Sequence, residues 1–152
     1  TNVEFVLNEK GYEKGSILVS GRNFGSGSSR EHAPWALMDY GFRCIIAPSY
    51  ADIFQKNCFI NGLVPVLLPQ DIVGEIMLNA MTKPGYSLTV DLEAGTVFDE
   101  SDMNIAFKLH DDADVNDFRR HCLLNGLDDI GLTLQHEDKI KAYENIREKR
   151  HY

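Results

Sequence analysis

The sequence predicts an α/β domain with a mainly parallel central sheet, flanking helices and an additional antiparallel hairpin layer. Two patterns carry that prediction. Through residue 81, short runs of branched apolar residues alternate with stretches of helical periodicity, as in parallel strands joined by right-handed crossovers. From residue 88, apolar and polar residues alternate across a glycine-containing turn, as in an antiparallel hairpin. With 152 residues, 43% of them apolar, the chain can bury one core and little more, so 1–152 reads as a single domain.

Taken in order, Ser16-Ile17-Leu18-Val19-Ser20, bounded by Gly15 and Gly21, reads as a buried strand. Residues 33–40 are apolar almost all round, which predicts a buried helix with Trp35 in the core and Gly41 as its C-terminal cap. A second strand follows at 43–47, a short helix at 50–58 and a third strand at 63–68. Pro65 puts that third strand at an edge or a bulge, because proline cannot donate to a ladder. Ile72, Val73, Ile76, Met77 and Ala80 give 70–81 a helical face. Leu88, Val90 and Leu92 alternate with polar residues, Glu93-Ala94-Gly95 turns the chain, and 96–98 and 105–109 continue as extended segments. Asp111, Asp112, Asp114 and Asp117 gather at the start of a helix over 115–125, where carboxylates suit the positive end of the macrodipole; the spacing of an EF-hand loop is absent. A last, charged helix spans about 137–148, with Lys139, Lys141, Arg147, Lys149 and Arg150 on a solvated face.

Charge narrows the function. A net charge of -8 and a pI near 5.0 repel a phosphodiester backbone, and no basic stripe with interleaved aromatics offsets them, so no nucleic acid partner is expected. No apolar run reaches membrane-spanning length and residues 1–10 carry no signal-peptide pattern, so no membrane partner is expected either. Cys44, Cys58 and Cys122 lie far apart, with no CxxC pair and no His/Cys cluster at ligand spacing. The chain is therefore expected to bind no metal or cofactor of its own, and three unpatterned thiols suit a reducing cytoplasm. An acidic protein binds an anionic metabolite by focusing positive potential locally, which singles out Arg22 and Arg30 beside a glycine-rich loop.

That loop, Gly25-Ser26-Gly27-Ser28-Ser29-Arg30-Glu31-His32, joins the first strand to the first helix and admits two readings. In one, Ser28 and Glu31 form an S-x-x-E capping box, with Gly25 and Gly27 permitting the turn. Pro34 works against this, since proline fits only a helix's first turn and a helix begun at Ser28 would place it too deep. Either the regular helix starts near Ala33 and leaves 28–30 in the loop, or its first turns are distorted. In the other reading the loop binds an anion. A dinucleotide fingerprint would need glycine at Arg30, a P-loop would need Gly-Lys-Ser/Thr, and the elbow G-x-S-x-G fits no register. What remains is a hydroxyl pair, Ser28 and Ser29, with free backbone N–H groups and a guanidinium able to grip a carboxylate at two points.

The run Arg22-Asn23-Phe24-Gly25-Ser26-Gly27-Ser28-Ser29-Arg30-Glu31-His32-Ala33, with Ile45-Ile46-Ala47-Pro48-Ser49-Tyr50-Ala51-Asp52-Ile53-Phe54 and Asn61-Gly62-Leu63-Val64-Pro65-Val66, resembles the swivelling β/β/α domain of the aconitase superfamily. Within that superfamily, Phe118-Arg119-Arg120-His121-Cys122-Leu123-Leu124-Asn125-Gly126-Leu127-Asp128-Asp129-Ile130-Gly131-Leu132-Thr133-Leu134 resembles the C-terminal signature of bacterial 3-isopropylmalate dehydratase small subunits, and not aconitase proper. The likeness spans nearly the whole chain. The family's opening strand, with its Asp-Thr-Asp motif, and the following loop associated with substrate choice have no counterpart before Thr1, so the sequence reads as N-terminally incomplete.

The resemblance implies a hydro-lyase small subunit acting in leucine biosynthesis, isomerising 2-isopropylmalate to 3-isopropylmalate through 2-isopropylmaleate. It implies Ser28 as the base that takes a proton from substrate carbon and Arg30 as the group that binds a substrate carboxylate, with Ser29 and Gly27 also in the substrate site. A serine works as a base only where its alkoxide is held by N–H donors and a cation in a water-poor site. In the family a [4Fe-4S] cluster expels hydroxide, and three scattered thiols cannot ligate one. The resemblance therefore implies a heterodimer in which the cluster sits on the large subunit and a small dicarboxylate binds at the interface. His32 reads as orienting Glu31 or a substrate group, or as a structural hydrogen-bonding residue. His121, on an apolar helix face, reads as a core or interface histidine, and Arg119 and Arg120 as surface or interface charges. Two rivals stand beside this reading: the small subunit of a homoaconitase or citramalate-type isomerase, and a non-catalytic anion-binding module.

Overall fold

The structure is a computed structural model that describes residues 5–8 and 11–148; Thr1, Lys149 and Arg150 lie outside the described residues. Strands β1 (Ile17–Val19), β2 (Cys44–Ala47) and β3 (Val64–Leu67) form a parallel sheet in that order, with Leu18 opposite Ile45 and Ile45 opposite Pro65. Helices α1 (His32–Tyr40) and α2 (Asp52–Asn61) are the crossovers. Every residue of β2 is buried, as a central strand covered on both faces requires. Its alternation divides the core. Ile45 and Ala47 pack with Phe54, Cys58 and Leu63 beneath α1 and α2. Cys44 and Ile46 face the other way, onto Val66, Val97, and Val73 and Ile76 of α3 (Gln70–Thr82).

A second, antiparallel sheet of β4 (Leu88–Asp91), β5 (Thr96–Asp99) and β6 (Asn104–Ala106) completes that second face, with Val90 opposite Val97. The strand expected over 105–109 is cut short because the chain leaves the hairpin after Ala106. Lys108 and Leu67 then form an isolated antiparallel bridge, the Leu67 N–H donating to the Lys108 carbonyl at 2.7 Å, which ties the hairpin layer to the outer edge of β3. Pro65 thus sits on an edge strand, one of the two places its missing N–H allows.

Helix α4 (Ala113–Asn125) begins two residues before the expected start because the Asp112 carboxylate caps it, accepting the Val115 N–H at 3.0 Å. Helix α5 (Asp129–Leu134) was not expected. Asp128 caps it by accepting the Gly131 N–H at 2.6 Å, a signal crowded by the Gly126 cap of α4 two residues earlier. Helix α6 (Glu137–Glu148) is solvated as expected, with an exposed Lys141–Glu137 ion pair at 2.7 Å. No helix among the described residues is long and apolar enough to cross a membrane.

Two burial expectations fail. Of the nine residues of α1 only Pro34 is buried, and Trp35 is 43% exposed instead of lying in the core. Helix α1 covers the sheet with Ala33, Leu37 and Met38, while Trp35 turns to the surface with its Nε1 bonded to Asn61. His121 is exposed, so of its two readings, core or interface, the core one is excluded.

Candidate active site

The loop over 20–31 leaves β1 at the carboxyl end of the parallel sheet, the end at which open α/β sheets present their ligand sites. Its first limb is tied down. The Asn23 N–H donates to Ser49 Oγ at 2.8 Å, the Phe24 N–H to the Ser49 carbonyl at 3.0 Å, and the Ala51 N–H to the Phe24 carbonyl at 2.9 Å. Phe24 and Tyr50 thereby extend the β1–β2 pairing beyond both strands. The Phe24 ring meets Phe54 edge-on, centroids 5.4 Å apart. Gly25 has φ +82, and a Cβ there would stand 2.1 Å from Phe54 Cγ, so both the backbone and the space demand glycine. Arg22 Nε donates to Gln70 Oε1 at 2.9 Å, at the first residue of α3. Beneath this limb Tyr50 is buried, its hydroxyl 2.8 Å from the Ile45 carbonyl and 2.9 Å from that of Val66; burial, then the neighbouring Cys44 and Cys58, pushes its pKa up and keeps it neutral.

The second limb carries the candidate groups and has few tethers. The Ser28 N–H makes a long bond of 3.4 Å to the Gly25 carbonyl, and Ser28 Oγ accepts the Arg30 N–H at 3.3 Å. Ser28 is half-buried, whereas Gly27, Ser29 and Arg30 are exposed. Among the described residues the Arg30 guanidinium makes no hydrogen bond or ion pair, which leaves its fork free. The capping box is not formed: α1 starts at His32, its N-cap Glu31 makes no side-chain cap bond, and Ser28 stays in the loop. Pro34 is then the third helical residue, where its missing N–H forfeits no intrahelical bond. The His32 ring packs against Trp35, centroids 4.9 Å apart, and Trp35 Nε1 donates to Asn61 Oδ1 at 2.7 Å.

The fold thus brings Gly27, Ser28, Ser29 and Arg30 onto one limb, with Arg22 held at the start of α3. Arg119 and Arg120 are occupied elsewhere: the first lies over the Phe59 ring at 5.2 Å, and the second lies against Gly95 in the β4–β5 turn. The residues present do not fit an iron–sulfur cluster. Cys44 and Cys58 face opposite sides of the sheet, burial pushes both thiols up to about 12, away from the thiolate that iron needs, and Cys122 is buried on α4. Among the described residues no group of three or more His, Cys, Asp or Glu could hold a metal ion. Nor does the loop line either of two clefts. One, of about 390 Å³, runs between α3 and the hairpin; there burial works against ionisation of Asp99, but the N–H groups of Met103 and Ser101 outweigh it and hold the carboxyl below its usual value. The other, of about 250 Å³, lies between the end of α2 and the α4–α5 turn. Around the half-buried Ser28, the neighbouring Gly27, Ser29 and Arg30 are exposed.

Comparison with known proteins shows the family. Residues 1–71 match the family model of the aconitase C-terminal domain, and residues 129–151 match that of the C-terminal domain of the 3-isopropylmalate dehydratase small subunit. The chain is 54% identical over 143 residues to a 3-isopropylmalate dehydratase small subunit of Brevibacillus brevis, covering 94% of this chain and 71% of that one. It belongs to the 3-isopropylmalate dehydratase small-subunit family. Small subunits of Marinobacter nauticus and Methylibium petroleiphilum are 55% and 56% identical, covering 97% and 96% of this chain. The chain spans 66% and 65% of those two relatives. A solved 3-isopropylmalate dehydratase (leuD) from Methanocaldococcus jannaschii matches with a TM-score of 0.59 at 26% identity, over 86% of this chain and 70% of that one.

The sequence reading of this family member missed Ser49, Phe54 and Gln70, the side chains that hold the first limb in place. Ser49 and Phe54 stand in the stretch that carries the resemblance, but nothing in the linear pattern pairs Ser49 with Asn23 or Phe54 with Gly25.

Proposed function

We propose that the chain is the small subunit of a 3-isopropylmalate dehydratase, a cytoplasmic hydro-lyase of leucine biosynthesis that interconverts 2-isopropylmalate and 3-isopropylmalate through 2-isopropylmaleate. The observation that carries this reading is 54–56% identity to small subunits of that enzyme over 94–97% of the chain. Ser28 takes the proton from the substrate carbon beside a carboxylate, and the same hydroxyl returns it in the opposite regiochemistry. The Arg30 N–H at 3.3 Å from Ser28 Oγ supports an alkoxide there, and the free Arg30 guanidinium suits one substrate carboxylate. The exposed amides and hydroxyl of Gly27 and Ser29 supply further donors.

Loss of hydroxide from the adjacent carbon needs a Lewis acid, and we assign that to a [4Fe-4S] cluster on a large subunit, since burial keeps the Cys44 and Cys58 thiols protonated and Cys122 lies buried on α4. The exposure of Gly27, Ser29 and Arg30 around the Ser28 hydroxyl fits a site completed by a partner, which also excludes the water that would quench an alkoxide. Co-expression with the cognate large subunit, followed by turnover assays on 2-isopropylmalate, homocitrate and citramalate, tests the reading. Preferred consumption of 2-isopropylmalate with accumulation of 2-isopropylmaleate is expected; preference for homocitrate or citramalate, or no turnover of any, contradicts it.

A further inference from the structure

We infer that Ser49 is a positioning residue for the Ser28 base, an inference that rests on the catalytic reading of Ser28. Three hydrogen bonds join the first limb of the loop to residues 49–51. Two are backbone to backbone and survive any substitution at 49; the third, from the Asn23 N–H to Ser49 Oγ at 2.8 Å, depends on the hydroxyl. That bond closes on Asn23, the only non-glycine residue with positive φ, 55°, among those described. A left-handed residue with a side chain is disfavoured, less so for asparagine than for most, and persists only when its surroundings fix it. Here the successive N–H groups of Asn23 and Phe24 both end on Ser49, one on its hydroxyl and one on its carbonyl.

Beyond the Phe24 and Gly25 contacts with Phe54, one further hydrogen bond links that anchor to the catalytic hydroxyl. The Gly25 carbonyl, two residues beyond Asn23, receives the Ser28 N–H at 3.4 Å, a length that a small tilt of the first limb would break. Arg30 reaches substrate through its own long side chain, so carboxylate binding is less sensitive to that tilt than placement of a serine oxygen. Misplacing a reacting group by about 1 Å can cost about 100-fold in rate. Loss of the Ser49 hydroxyl should therefore appear in kcat and leave KM nearly unchanged.

The test uses the reconstituted two-subunit enzyme with Ser49→Ala, Ser49→Thr and Ser28→Ala. For Ser49→Ala we expect kcat on 2-isopropylmalate to fall about 10- to 100-fold with KM within about threefold, and Ser49→Thr, which keeps the hydroxyl, to recover most of the rate. Wild-type kcat in Ser49→Ala beside an inactive Ser28→Ala overturns the positioning role and leaves the base standing. An active Ser28→Ala overturns the base, and this inference with it. Should Ser49→Ala fail to fold, Asn23→Gly/Ser49→Ala relieves the left-handed residue and is read in its place: a low kcat supports the inference and a wild-type kcat overturns it.

Discussion

Residues 16–82 and the arm formed by α5 and α6 both follow regular backbone geometry, yet they solve different problems. In the first, β2 is buried along its whole length and helices on both faces pack against it, so each side chain is fixed by neighbours on several elements. In the second, α5 has no buried residue and Ile130, Leu134, Tyr143 and Ile146 stand 54–68% exposed. The packed half supports the loop from several elements, whereas α5 buries no residue of its own. That contrast separates substitutions that alter chemistry or folding of this chain from those that alter neither.

The sharpest way to break the contrast is at the loop itself. Arg30→Lys keeps the charge but loses the two-point grip, so the reconstituted enzyme should lose about 2.7 to 4 kcal/mol of barrier lowering, read as a 100- to 1,000-fold drop in kcat/KM. Because Arg30 is exposed, the urea midpoint of the chain should not move. Gly25→Ala attacks the support under the loop. It forces a Cβ onto Phe54 at φ +82, and strain plus overpacking should cost roughly 2–4 kcal/mol in urea unfolding. An unchanged midpoint would mean that the first limb is not pinned.

Alkali tests the core beneath it. Burial raises Cys44 and Cys58 from the usual 9.0 to about 12, so the folded state keeps both protons where the unfolded state has lost them. Their contribution is complete below pH 9 and is lost progressively as pH rises from 9 through about 12. Each thiol should remove up to about 1.4 kcal/mol of stability per pH unit in that window. Urea midpoints at pH 8 and pH 10 should fall accordingly, and Cys44→Ala/Cys58→Ala should flatten the dependence. The smallest effect belongs to the arm. Tyr143→Ala, at a residue 66% exposed, should change the stability of the isolated chain by less than about 0.5 kcal/mol. A loss of about 2 kcal/mol or more would show that the arm packs on the body.

The parallel half was legible in the sequence because its signals are local: branched apolar runs mark strands and Gly41 ends α1, although α2 runs three residues past the expected end at 58, to the Gly62 cap. Pro65 marked the edge strand by the same logic. Helix α5 was not legible, since six residues give no periodicity to count and its Asp128 cap lies in what reads as the tail of α4. Trp35, read as core by residue type, and His121, read as core or interface from its helix face, both stand exposed, because residue type and face predict burial only where another element covers them. Of the candidate site, the limb Ser28-Ser29-Arg30 stood out in the sequence, because glycines, hydroxyls and a cation advertise themselves by type. Its supports were not, because Ser49 acts on Asn23 across 26 positions and Gln70 on Arg22 across 48.

The central claim is that the Ser28 oxygen removes the proton from substrate carbon once the loop is covered by a large subunit. Single-turnover conversion of 2-isopropylmalate to 2-isopropylmaleate by the reconstituted enzyme with Ser28→Ala measures that step directly. The account predicts a rate about 100- to 10,000-fold below wild type with association of the two subunits intact. A rate within a few-fold of wild type would contradict it.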